Sequence, residues 1–222
     1  MRTASTNGCP ALKPELAPEP PLALLHSVQQ GQSDDEKIAA IRHHFAKIME
    51  ALGLDLGDAS LRDTPQRVAK MFVKEVFSGL DHRNFPAITT FPNTRGYGEM
   101  LVEKNISLHT FCEHHFLPII GKVHVAYFPG QRIAGLSKLN RLVKHYARQP
   151  QVQERLTVQI AEGMQEVLGT ADVAVYIEAD HLCVASRGVE DTKSSTVTSF
   201  FGGRFKEPLE RQGFLEAVKQ AR

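Results

Sequence analysis

Between residues 33 and 79 apolar side chains recur at helical spacing. Ile38, Ile41, Phe45, Ile48 and Leu52 form one stripe, and Gly53 ends it. Ser33-Asp34-Asp35-Glu36, just ahead of the stripe, is a capping box with its acids where a helix dipole favours them. A second helix is predicted from Thr64-Pro65, with Val68, Phe72 and Val76 as its buried stripe and Gly79 as its stop. From Glu99 the period changes to two. Met100, Val102, Ile106 and Leu108 alternate with Glu103, Asn105, Ser107 and His109, which predicts a half-buried strand with the four apolar residues on one face. A second strand is expected over residues 122–128, with Pro129-Gly130 turning the chain. Helical spacing returns over residues 137–148, and after Pro150 it resumes through Val152, Leu156, Ile160, Met164 and Val167 to Gly169. Val173, Val175 and Ile177 mark a third strand, residues 192–199 a fourth, and residues 214–218 a short terminal helix.

This order, two helices and then β-β-α-α-β-β, predicts an α+β fold in which an antiparallel sheet carries its helices on one face. Four strands leave two edges to protect, so joining of subunits into a ring or barrel is expected. Residues 1–32, rich in Pro, Ala, Gln and Gly, read as a flexible tail with at most a turn of helix around residues 22–25. Residues 33–98 then form a helical region, and residues 99–222 the main domain.

Composition narrows the possibilities. The 222 residues carry a formal net charge of +1, and the aromatic residues are not interleaved with a basic stripe, so nucleic-acid binding is not expected. No apolar run approaches the roughly 20 residues of a membrane helix. Prolines and charges interrupt the N-terminus where a secretory signal would need an apolar core, so the expected compartment is the cytoplasm. Three cysteines, Cys9, Cys112 and Cys183, are too few for a disulfide framework. Cys9 reads as an exposed bystander in the tail.

The densest chemistry is Cys112-Glu113-His114-His115, with a second cluster at His181-Leu182-Cys183. Cys112 and His115 are three apart, and on an extended strand His181 and Cys183 point to the same side. Two thiolates and one imidazole make a three-ligand zinc set with a fourth position for water; a structural site would instead draw a fourth ligand from His114 or His181. Alone, Cys183 would be read as a small buried hydrophobe. The two clusters together favour a metal.

Lys138 and Arg141 stand in the first turns of a predicted helix, against its dipole, which suggests that they share an anion such as phosphate with the backbone N–H groups. Without that context they would be a solvated basic face continued by Lys144 and Arg148. Gln153 and Glu154 open the next helix. A carboxylate there is electrostatically at home, and it can also accept two adjacent N–H donors of a planar base.

These segments resemble the GTP cyclohydrolase I family. The resemblance is carried by Cys112-Glu113-His114-His115-Phe116, Gly135-Leu136-Ser137-Lys138-Leu139-Asn140-Arg141, the run from Gln149-Pro150 through Gln153-Glu154-Arg155-Leu156, and His181-Leu182-Cys183 with Arg187-Gly188. Upstream, Thr64-Pro65-Gln66-Arg67-Val68-Ala69-Lys70-Met71 and Phe77-Ser78-Gly79-Leu80 are similar to the family's preceding helix. The match runs from about Asp34 to the C-terminus.

The resemblance implies the tunnelling fold, with subunit sheets joined into a barrel, a homodecamer of two five-membered rings, and active sites between subunits. It implies conversion of GTP and water to formate and 7,8-dihydroneopterin triphosphate, the opening step of folate and other pterin synthesis. By position, Cys112, His115 and Cys183 would hold zinc, while His114 and His181 move protons and Ser137 assists near the ribose. Gln153 and Glu154 would anchor guanine. Lys138, Arg141 and Arg187, with Arg67 from a neighbouring subunit, would hold the triphosphate. The departures are the tail and the acidic Val189-Glu190-Asp191 stretch.

Overall fold

The computed structural model describes residues 31–220. The expected tail up to position 30, its turn around residues 22–25 and Cys9 lie outside the described residues.

Helix α1 spans Asp34–Ala51 behind the predicted capping box. The Ser33 Oγ accepts from the Glu36 N–H at 3.3 Å, and Glu36 Oε2 accepts from the Ser33 N–H at 2.7 Å. Ile38 and Met49 are buried, yet Ile48 and Leu52 are 52% and 72% exposed. Much of the apolar stripe thus finds no cover within one chain.

Helix α2, Thr64–Met71, is shorter than its apolar spacing predicts, because the chain widens into a π-helical turn at Phe72–Val76. The Phe77 N–H reaches back five residues to the Phe72 carbonyl at 3.0 Å. That extra residue swings Phe77 onto Phe111 and Phe116. Gly79 then sits on the end of helix α3, Leu136–Ala147: its N–H donates to the Arg148 carbonyl at 2.9 Å, and a Cβ there would lie 2.3 Å from the His145 carbonyl oxygen. Only glycine allows that approach.

Strands β1 (Thr90–Pro92) and β4 (Arg132–Ala134) form a small ribbon. The main sheet contains β2 (Leu101–Cys112), β3 (Pro118–Tyr127), β5 (Pro150–Gln151), β6 (Val173–His181) and β7 (Thr196–Phe201) in the order β5-β2-β3-β6-β7. All pairings are antiparallel except β2 with β5. The sheet has five strands rather than the predicted four, since a two-residue strand beside Pro150 carries no periodic signal.

Helices α3 and α4 (Gln153–Leu168) cover one face, burying Leu139, Leu142, Leu156, Ile160 and Met164 against β2, β3 and β6. The expectation of helices on one face only is corrected by α6, Pro208–Lys219. Its Phe214, with Phe205, packs on Ala126, Phe128 and Ala174, a separate cluster from the core under α3 and α4. The reason lies in the strands themselves: residues 125–128 and 173–175 are apolar without alternation, as strands covered on both faces are.

The expected single face of Met100, Val102, Ile106 and Leu108 is also corrected. Register shifts between Glu103 and Ile106, where Asn105 takes a left-handed φ of 58°. The bulge exchanges the faces, so Met100 and Val102 join the α6 cluster while Ile106 and Leu108 join the α3/α4 core.

The two ends of the sheet carry different residues. Cys112, Pro118 and His181 lie at one end, where Phe111 pairs with Pro118 and Ile119 with His181. Leu101, Tyr127 and Val173 lie at the other. Helix α3 begins beside Tyr127, whose Oη accepts from the Ala134 N–H at 3.0 Å, and runs back toward Cys112. None of the helices among the described residues is long and apolar enough to cross a membrane.

Candidate metal centre and active site

At the Cys112 end of the sheet the two sequence clusters converge. Strand β2 ends at Cys112 and turns tightly into β3, with the Phe116 N–H donating to the Cys112 carbonyl and the Cys112 N–H to the Leu117 carbonyl, both at 2.8 Å. Phe116 holds φ +53° in this turn and stacks edge-on to Phe72, so the aromatic cluster behind the turn fixes a backbone shape that phenylalanine does not favour. Strand β6 delivers His181, and the one-turn helix α5, Leu182–Ala185, presents Cys183. His181 and Cys183 therefore reach the centre from a strand end and a helical turn, not from one strand as their spacing suggested.

One ligand atom from each of Cys112, His115 and Cys183 lies within 4.8 Å of the others, graded from buried through half-buried Cys183 to exposed His115. Two sulfurs and an imidazole nitrogen at that separation fit a soft or borderline divalent cation. Burial, followed by the hydrogen bond to Cys112 and its charge, raises the Cys183 thiol above its ordinary pKa. Two adjacent thiolates favour a cation between them, and the group fits a metal on that chemistry.

The neighbours are ordered by the same end of the fold. Nδ1 of His114 is 3.6 Å from the Cys112 sulfur. Arg187 Nη1 lies 2.9 Å from His115 Nε2, which brings this cation to the centre. His181 Nε2 lies 2.8 Å from Gln153 Oε1, and burial pushes this imidazole below its ordinary pKa against the pull of Glu154 and Asp180. Gln153 is 1% exposed; its amide donates to the carbonyls of Thr196 at 2.9 Å and Ile177 at 3.3 Å. The side chain expected to touch a base is thus engaged inside the chain, holding His181. Glu154, next along, is exposed.

Four expected site residues are elsewhere. Ser137 and Lys138 lie in the first turn of α3, at the Tyr127 end of a strand of 10 residues. Helix α3, 12 residues at about 1.5 Å each, puts roughly 15–18 Å between them and its other end, from which the chain reaches Cys112 through Gln151. Arg67 lies on α2, 3.9 Å from Asp63 and well exposed. Arg141 faces a groove of about 1630 Å³ between α1, residues 72–84 and α3, which also receives Phe116, Lys144 and Arg148 but none of Cys112, His115 and Cys183. One chain therefore assembles Cys112, His114, His115, Gln153, Glu154, His181, Cys183 and Arg187, and leaves Ser137, Lys138, Arg141 and Arg67 apart.

Two contributors were not singled out from sequence. Arg155 donates to Glu113 Oε2 at 2.5 Å, and buried Gln151 carries both the Glu113 N–H on its carbonyl (3.0 Å) and the Arg155 Nε on its side chain (3.2 Å). The available signal was a cation in the first turn of α4, the same anti-dipole pattern that drew attention to Lys138.

An α+β sheet that ends in a Cys-His-Cys group beside a half-buried histidine and an exposed carboxylate defines a candidate metal-dependent enzyme. Comparison with known proteins agrees. The model of the family described as GTP cyclohydrolase I matches residues 41–219. A protein named GTP cyclohydrolase 1 from Flavobacterium johnsoniae is 56% identical over 187 residues, 84% of each chain. Those of the same name from Haemophilus ducreyi and Aeromonas hydrophila are 49% identical over 193 residues and 50% over 198, covering 86–89% of this chain and 88–89% of theirs. The chain belongs to the GTP cyclohydrolase I family, and it is an enzyme.

Proposed function

We propose that the protein hydrolyses GTP at C8 of guanine, releasing formate and forming 7,8-dihydroneopterin triphosphate, in the cytoplasm and at the head of folate or other pterin synthesis. The observation that carries the reading is the convergence of Cys112, His115 and Cys183 within 4.8 Å, beside His181 and Glu154. Zinc is the proposed metal; when bound it supplies Lewis acidity and lowers the pKa of a water toward about 7.

The chain's own groups do the rest. The exposed Glu154 carboxylate accepts two adjacent N–H donors of the guanine edge, which orients C8 toward the metal centre. Gln153 holds His181 with its proton on Nε2, so the ring presents a defined donor and acceptor. His114, beside Cys112, is the second proton carrier. Together they protonate the imidazole nitrogens of the base as its ring opens and formate leaves. Arg187 meets the triphosphate from the same chain.

Ser137, Lys138, Arg141 and Arg67 are assigned to the same reaction through neighbouring subunits in a homodecamer with sites between chains. The separation of Ser137 and Lys138 from Cys112 along the sheet supports that reading, as does the uncovered stripe of α1. Purified, zinc-loaded protein incubated with GTP is expected to release one formate per pterin formed. A chelator should stop both products and zinc restore them; a folded, zinc-loaded protein that yields neither overturns the assignment.

A further inference from the structure

The turn that carries the metal ligands is tied to the helix that carries the base-binding carboxylate by one ion pair. Glu113 lies between Cys112 and His115, and its Oε2 accepts from Arg155 Nη2 at 2.5 Å. Its Oε1 stands 3.7 Å from His114 Nε2. Arg155 is the third residue of α4, directly after Gln153 and Glu154. The guanidinium makes two further contacts in its planar fork, Nη2 to the Pro150 carbonyl at 3.0 Å and Nε to Gln151 Oε1 at 3.2 Å, and Gln151 is itself fixed, its amide donating to the Tyr146 carbonyl and to Gln159 Oε1, each at 2.9 Å. Both partners are sheltered, with side chains 23% and 27% exposed.

A cation in a helix's first turn opposes the dipole. As a stability device a sheltered ion pair is weak evidence, because desolvation of both charges offsets their attraction. Its geometry is what stands out: a rigid fork spans two backbone segments whose other tie is the short β2–β5 bridge, with the Glu113 N–H donating to the Gln151 carbonyl at 3.0 Å.

We propose that Glu113 and Arg155 act as a positioning strut, which sets the distance between the metal-ligand turn and Glu154 and so the place where C8 of the base meets the attacking water. The strut rests on the proposed function of the same site. Neither residue touches substrate in this scheme; each acts through the groups it holds. Loss of the strut leaves base and phosphate contacts intact but misaligns the reacting atoms, and misplacement by about 1 Å costs on the order of 100-fold in rate.

The test is steady-state kinetics on zinc-loaded Arg155→Met, Glu113→Gln and their double variant, with bound zinc counted for each. The expected result is kcat lowered by about 100-fold with KM for GTP within about threefold of the parent, zinc retained, and a double variant no slower than the slower single. Additive losses, an unchanged kcat, or a rise in KM alone overturns the strut. Should Arg155→Met fail to fold, Arg155→Lys carries the question: it keeps the charge but loses the fork, and unchanged turnover in it refutes the proposal. If the parent protein itself makes no formate, the functional reading falls; if the parent turns over and the variants match it, only the strut does.

Discussion

Gln153 Oε1 and His181 Nε2 are 2.8 Å apart, and the identity of the proton between them is settled on the far side of the glutamine. The Gln153 amide nitrogen faces the carbonyls of Thr196 and Ile177, which can only accept. Its oxygen must therefore face the histidine, and His181 must carry its hydrogen on Nε2.

Replacing Gln153 by Leu removes that orientation and takes a donor from the carbonyls of buried Ile177 and of Thr196. Unfolding free energy is expected to fall by about 2 kcal/mol, and turnover by about 100-fold. Gln153→Glu, which keeps the acceptor toward His181, should recover more turnover than stability. Denaturant titration alongside formate release checks both, and equal activity in Gln153→Leu and the parent would remove the positioning role.

The two ends of the sheet carry different parts of the proposed site, which makes it open to complementation. A Cys112→Ser chain lacks a metal ligand, and a Lys138→Ala chain lacks a phosphate contact at the opposite end. Each alone is expected to be nearly inactive. Co-refolded in equal amounts, they should regain about a quarter of parental activity, because random association pairs two intact contributors at one site in four on simple counting of symmetric oligomers. Recovery no greater than the sum of the separate activities would place Lys138 in its own chain's site or in none.

Acid should weaken the fold through histidines buried away from the metal. His124 and His145 are 4% and 8% exposed, and burial holds both below the ordinary value of 6.5. For such a group the unfolded chain takes up protons first as pH falls, so stability is fully present above about 6.5 and is lost as pH drops toward the folded-state value. The slope per histidine is at most about 1.4 kcal/mol per pH unit. Thermal midpoints from pH 8 to 5, taken in excess chelator so that metal loss does not intrude, should decline below about 6.5. A His124→Asn, His145→Asn double variant should decline less steeply; an identical slope would show that these rings are not the cause.

How much of the fold is legible in the sequence depends on the range of the interactions. The α1 capping box, the Cys112-Glu113-His114-His115 cluster and the α3 and α4 stripes are set by residues close along the chain, and their patterns are visible in it. The swing at Phe72–Val76 is not, because it answers to aromatic partners at Phe111 and Phe116 that are about 40 residues away. Strand β5 is too short to have a period, and its pairing with β2 depends on where α3 ends. The face exchange at Asn105 is invisible to alternation, since a bulge keeps the residue types and changes only their direction. Gln153 looks like a ligand for a base because its amide could serve one; only the folded chain shows that the same amide also bonds His181, Thr196 and Ile177.

The placement of Ser137 and Cys112 at opposite ends of one sheet has a genetic consequence under the proposed assembly. Each polypeptide then contributes to two different centres, so a lesion at one end of a chain harms a centre whose other half is encoded without fault. In a cell making two versions of the chain, a folded copy damaged at one end would spoil one centre, no more than its own share, while two copies damaged at opposite ends could between them still build an intact centre. Among copies that still fold, inheritance of a defect here would follow which end of the sheet carries the changed residue.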